Sequence, residues 1–116
     1  MNPTYIKEEI HFITTQLVEK YHPEKIILFG SATGKNFNKE ESDLDFLIIK
    51  KEVPILGRER IYQLDKLISY RIATDFIVYT PEEIDHLCTL HDQFIDYILK
   101  KGKILYERQP ALSTMD

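Results

Sequence analysis

Three apolar runs of strand length constrain this chain more than anything else in it. Residues 25–29 read Lys-Ile-Ile-Leu-Phe and stop at Gly30. Residues 43–49 read Asp-Leu-Asp-Phe-Leu-Ile-Ile, and residues 72–79 read Ile-Ala-Thr-Asp-Phe-Ile-Val-Tyr. Branched and aromatic side chains dominate all three, as buried strands require. Between them the apolar period changes. Ile6, Ile10, Ile13, Leu17 and Val18 recur at helical spacing, which predicts a helix over 4–21 with Thr4 as N-cap and Pro23 just past its end. Ile61, Leu64, Leu67 and Ile68 predict a second helix over 58–70. Thr80-Pro81-Glu82-Glu83 is a capping box with proline at the first helical position. A last helix is expected over 91–101, with Phe94, Ile95, Ile98 and Leu99 inward and Gly102 ending it in the left-handed conformation. Residues 104–106 add a short edge strand. The order is helix, strand, strand, helix, strand, helices, which gives an α+β (α/β-like) domain: a small mixed sheet with helices packed on it.

With 116 residues and 43% hydrophobic content, the chain has material for one core, expected over 1–106 and followed by a loosely held tail over 107–116. The net charge of −4 argues against stable binding to nucleic acid, which needs a basic face. The single cysteine, Cys88, permits no disulfide within the chain. Neither a signal core nor a membrane-length apolar run is visible, so a cytoplasmic protein is expected.

Asp43 and Asp45 are two apart at the start of a strand. They project to one side, roughly 6 to 7 Å apart at a rise of about 3.3 Å per residue. Leu44 and Phe46 then face the core. Two carboxylates this close repel unless something positive lies between them. Mg²⁺ suits such oxygen ligands, and a pair of metals about 4 Å apart is a reasonable load. The competing reading is a solvated pair at a strand end. Asp75 sits inside an apolar strand, where a charge is costly unless paired or metal-bound. If its strand runs beside that of Asp45, Asp75 completes a triad and serves as, or assists, a general base. The alternative is a salt bridge to Arg71.

Phe29-Gly30-Ser31 is a strand running into a glycine turn. Glycine lets the backbone approach a ligand, and amides and hydroxyl beyond it form a seat for phosphate; an ordinary turn is the other reading. A Walker A loop fits poorly. Only three residues separate Gly30 from Gly34, and Asn36 follows Lys35 where a metal-binding hydroxyl is needed. His11, His22, His86 and His91 have no ligand-cluster spacing. Arg58, Arg60 and Arg71 are read either as solvated helix surface or as contacts to a triphosphate or acidic partner. Core packing is the simpler reading for Tyr62, Tyr70 and Tyr79, base stacking the other.

A Gly-Ser turn after a strand, eleven residues, Asp-x-Asp on the next strand and a further aspartate on a later one resemble the nucleotidyltransferase superfamily of DNA polymerase beta and kanamycin nucleotidyltransferase. Within it the chain most resembles the minimal nucleotidyltransferases, or MNT proteins. Its segment Phe94-Ile95-Asp96-Tyr97-Ile98-Leu99-Lys100-Lys101-Gly102-Lys103-Ile104-Leu105-Tyr106-Glu107 is similar to theirs. The chain departs from many relatives at Ala32, where they carry arginine, and in a glycine that comes one position early.

The resemblance implies a polymerase-beta-type fold and nucleotidyl transfer. Gly30 and Ser31 would hold the phosphates of ATP, and Asp43, Asp45 and Asp75 would bind Mg²⁺. It also implies a partner: MNT proteins pair with HEPN proteins as antitoxins, and some transfer AMP to a tyrosine of the HEPN ribonuclease. A second copy of the chain is the other partner to expect. Neutralisation by contact alone, and transfer to a small molecule such as an aminoglycoside, are the alternative functions.

Overall fold

The structure, a computed structural model, describes residues 3–33 and 43–109. Helix α1 spans Pro3–Gln16 and widens into a π-helical turn, Leu17–Tyr21. Thr4 therefore lies inside the helix rather than capping it. His22, left-handed at φ 56°, returns its N–H to the Leu17 carbonyl and ends the turn. Strand β1 (Lys25–Phe29) follows, then a 3₁₀ turn at Gly30–Thr33. Strand β2 covers Leu44–Ile49, α2 Gly57–Leu67 and β3 Thr74–Tyr79. Helices α3 (Pro81–Thr89) and α4 (Gln93–Lys101) lead to β4 (Lys103–Glu107).

The four strands form one mixed sheet in the order β3-β2-β1-β4. β1 is antiparallel to both of its neighbours, while β2 and β3 are parallel. Strand alternation divides the side chains between two cores. Ile26, Leu28, Leu44, Phe46, Ile48, Phe76 and Val78 face Ile13 and Leu17 of the first helical segment and Leu64 of α2. Ile27, Phe29, Leu47 and Ile49 face Ile84 of α3 and Ile95 and Ile98 of α4. Covered on both faces, β1 and β2 read as nearly unbroken apolar runs, which is why they stand out in the sequence.

The predicted capping box is present. Glu83 N donates to Thr80 Oγ1, and Thr80 N donates to Glu83 Oε1. Asp92 caps α4, its carboxylate accepting from Ile95 N at 2.9 Å. On α4 only Ile95 and Ile98 are buried; Phe94 and Leu99 are nearly half exposed. Gly102 is extended (φ −70°, ψ 158°), not left-handed. Its missing side chain has another cause: a Cβ there would meet Ile27 Cγ2 and the Ile98 carbonyl at 2.5 Å. The helix end is pressed onto β1. β4 is longer than expected. Glu107 pairs with Lys25 at 3.3 Å, and Arg108 N donates to the Glu24 carbonyl, so order persists into the segment expected to be a loose tail.

Two ion pairs, each with one buried partner, tie the helices down. Glu9 of α1 is fully buried and accepts from Arg71 Nε at 3.1 Å, just before β3. Arg60 of α2 is 5% exposed and bonds both oxygens of Glu83. Arg71 stays largely exposed and pairs with Glu9 rather than Asp75, whereas Arg60 is buried and structural rather than solvated. Tyr62 is exposed, with Lys66 over its ring, rather than packed in a core. Among the described residues no helix is long and apolar enough to cross a membrane.

Candidate active site

The C-terminal end of β1 and the N-terminal ends of β2 and β3 meet at one end of the sheet. Phe29 pairs with Asp45 across β1 and β2, and Asp45 pairs with Asp75 across β2 and β3. Paired residues turn their side chains to the same face, and neighbouring strands lie about 4.8 Å apart. Asp45 and Asp75 share the parity of Leu47, Ile49 and Ile77, which lie in the core beneath α3 and α4. Asp43, two residues before Asp45, belongs to the same face. Its neighbour Leu44 turns into the opposite core and donates its N–H to the Ala73 carbonyl, which locks the start of β2 against β3.

The electrostatics reflect this crowding. The Asp45 carboxyl is pushed up to about 6, first by burial and then by the negative charges of Asp75 and Asp43. Asp75 is also raised, by partial desolvation first, then by a hydrogen bond and charge repulsion from Asp43. Among the described residues no ion pair reaches any of the three.

Gly30 completes this end of the sheet. It is left-handed (φ 79°), and a Cβ there would lie 2.5 Å from Asp45 Oδ2. Glycine is required on both counts. The turn is held by Thr33 Oγ1, which donates to the Gly30 carbonyl at 2.7 Å, and Ser31 stands exposed at its outer side. Sequence reasoning placed the glycine for a ligand's sake; its tightest neighbour is the aspartate. Gly34 and Lys35 lie outside the described residues.

The three aspartates offer the hard oxygen donors that Mg²⁺ takes, and their mutual repulsion favours a cation among them. Among the described residues no three His, Cys, Asp or Glu side chains already stand in metal-binding geometry. The fit therefore rests on donor chemistry and charge, with side-chain rotation left to close the cage. A cavity of about 390 Å³ beside Tyr79, Glu82, Glu83, His86 and Leu87 lies at the far end of β3 and takes no part in this cluster. Among the residues that sequence reasoning misjudged, Phe94 is notable. Its half-exposed ring meets Phe29 edge-on at 5.6 Å, one residue from Gly30. Only the register of α4 over β1 reveals that.

Carboxylates at the head of a mixed sheet, beside a glycine turn, define a domain of nucleotidyltransferase type. The family described as Polymerase beta, Nucleotidyltransferase matches residues 12–111, and the chain belongs to it. It is 34% identical over 98 residues to a candidate protein adenylyltransferase, MJ0141, of Methanocaldococcus jannaschii, covering 84% of this chain and 91% of that protein. The crystal structure of a candidate nucleotidyltransferase from Sulfolobus solfataricus superposes with a TM-score of 0.59 at 21% identity, over 93% of this chain and 91% of that one. The fold is thus the polymerase-beta nucleotidyltransferase fold.

Proposed function

We propose that the chain is a Mg²⁺-dependent adenylyltransferase that moves AMP from ATP to a hydroxyl of a partner protein. In this reading it is a cytoplasmic MNT antitoxin acting on a HEPN protein. The observation that carries the reading is the register pairing of Asp45 with Asp75, with Asp43 on the same face. The relationship to a candidate protein adenylyltransferase supports a protein acceptor.

Asp43 and Asp45 would hold the metal, Asp75 would complete its site, and Gly30 and Ser31 would seat the phosphates. When bound, Mg²⁺ would supply charge neutralisation at the α-phosphate. The acceptor hydroxyl oxygen bonds to the α-phosphorus. The bond from that phosphorus to the bridging oxygen breaks, and its electron pair leaves with pyrophosphate. The hydroxyl proton passes to the Asp75 carboxylate.

The test is incubation with α-labelled ATP, Mg²⁺ and the HEPN protein of the adjacent gene. Label on the partner is expected, falling about 10²–10³-fold in Asp43→Asn and Asp45→Asn. Label that survives both substitutions rejects this site. Tight binding and neutralisation without label favour an antitoxin acting by contact alone.

A further inference from the structure

β3 is an outer strand of the sheet and carries Asp75 near its start. Its backbone groups alternate in direction. The Ala73 and Tyr79 carbonyls bond to β2, at Leu44 N and Lys50 N, so odd-numbered residues spend their backbone groups on β2. Thr74, Phe76 and Val78 consequently turn theirs outward. The Val78 carbonyl is taken by Arg60 Nη1 at 2.9 Å. Among the described residues nothing bonds the outward groups of Thr74 and Phe76. The open stretch therefore begins beside the acidic cluster and is stopped by an arginine at its far end.

We propose that this edge docks the acceptor protein, taking an extended segment as an added antiparallel strand with its acceptor hydroxyl residue opposite Asp75. The proposal rests on the protein-acceptor reading above. An extended peptide is the occupant because it alone supplies alternating N–H and C=O groups at this spacing. Asp75 turns its own backbone groups toward β2, so the residue opposite it forms a non-hydrogen-bonded pair. Such pairs are the closer kind, with Cα atoms about 4.5 Å apart and side chains on one face. The hydroxyl residue thus joins the row Asp45–Asp75 at its outer end. Residues preceding the acceptor run toward Val78, where Arg60 also bonds the Ile55 carbonyl, and where Ile55 and Leu56 stand exposed. Apolar side chains are favoured there. The other outer strand, β4, lies on the far side of β1 and offers no carboxylate of the cluster.

The test uses short random peptides with a fixed central tyrosine and has two readouts. Backbone amide exchange of the whole protein, with the pool at millimolar concentration, reads docking without catalysis. Slowed exchange at Thr74 and Phe76, with β4 unchanged, is expected; protection along β4 instead, or none anywhere, overturns the proposal. Labelling of the peptides from ATP with Mg²⁺ reads register. N-methylation of the residues on either side of the tyrosine should cut labelling about tenfold by removing edge hydrogen bonds, while N-methylation of the tyrosine itself leaves it unchanged. Equal effects at all three positions also overturn it. Protected amides without label would leave the docking edge standing and remove the transferase reading. Label on the HEPN protein with an unprotected edge would do the reverse.

Discussion

Asp45 of β2 and Asp75 of β3 are direct partners in a parallel register, two carboxylates one strand spacing apart on the same face. Burial of Asp45, and then repulsion from Asp75 and Asp43, disfavours its charged form. The Asp45 carboxyl, ordinarily near 3.8, stands at about 6. Between those values the folded protein holds more protons than the unfolded chain, so this group's contribution is fully present below pH 3.8 and is lost as pH rises toward 6. Asp45→Asn removes the loss. Because the side chain is only partly buried, solvent screening limits the gain at pH 7 to about 1 kcal/mol. Thermal melts of the metal-free protein should show Asp45→Asn several degrees more stable at pH 7 and little different at pH 4; equal stability at both would reject the penalty on charged Asp45.

Added Mg²⁺ should reverse the same penalty. Ligands must be deprotonated, so binding strengthens as Asp45 ionises through pH 6. At tenfold excess over its Kd the metal stabilises by about 1.4 kcal/mol. The melting temperature should rise with Mg²⁺ at pH 7.5, hardly move at pH 5, and be indifferent to Mg²⁺ in the double variant Asp43→Asn/Asp45→Asn. A rise of equal size in that variant would place the metal elsewhere.

Much of this fold is legible because its inner strands are buried on both faces. Residues 25–29 and 44–49 have almost no polar position to blur the pattern, and Asp45 and Asp75 are visible as charges where apolar side chains are expected. The capping box is local chemistry and reads directly. What does not read is anything fixed by distant contact. Arg60 and Glu83 are 23 residues apart and Glu9 and Arg71 are 62 apart, so each looks like a solvated charge until the helices are packed. Gly102 looks like a helix cap because glycine usually is one; only the proximity of Ile27 shows that space decides there. Within the site, the register that pairs Asp45 with Asp75 depends on β2 and β3 being adjacent and parallel, which no local pattern states.

Gly30→Ala should damage both the turn and the site. An alanine at φ 79° costs about 1 kcal/mol in backbone strain, and its Cβ would lie against Asp45 Oδ2. Either the carboxylate swings away or the turn opens. We expect a loss of about 2 kcal/mol by urea denaturation, with transfer activity falling further than the residual folded fraction explains. Wild-type stability in Gly30→Ala would contradict the close approach.

Arg60 and Glu83 provide a prediction away from the chemistry. The Arg60 guanidinium donates to the Pro54, Ile55 and Val78 carbonyls and to both Glu83 oxygens, while Glu83 also caps α3. Glu83→Gln leaves a buried cation with no counter-charge. Glu83 is itself partly exposed, so water recovers some of the loss, and the expected cost is about 2 kcal/mol. The Arg60 hydrogen bond holds the Glu83 carboxyl below its ordinary value near 4.5. Its stabilisation is therefore present above that pH and lost as pH falls through the lower folded value. Urea titrations should show the gap between wild type and Glu83→Gln narrowing in acid. Because Arg60 also closes the far end of the β3 edge, Arg60→Met should lengthen the open stretch. A gap that stays constant down to pH 3 would mean that Glu83 acts through its cap alone.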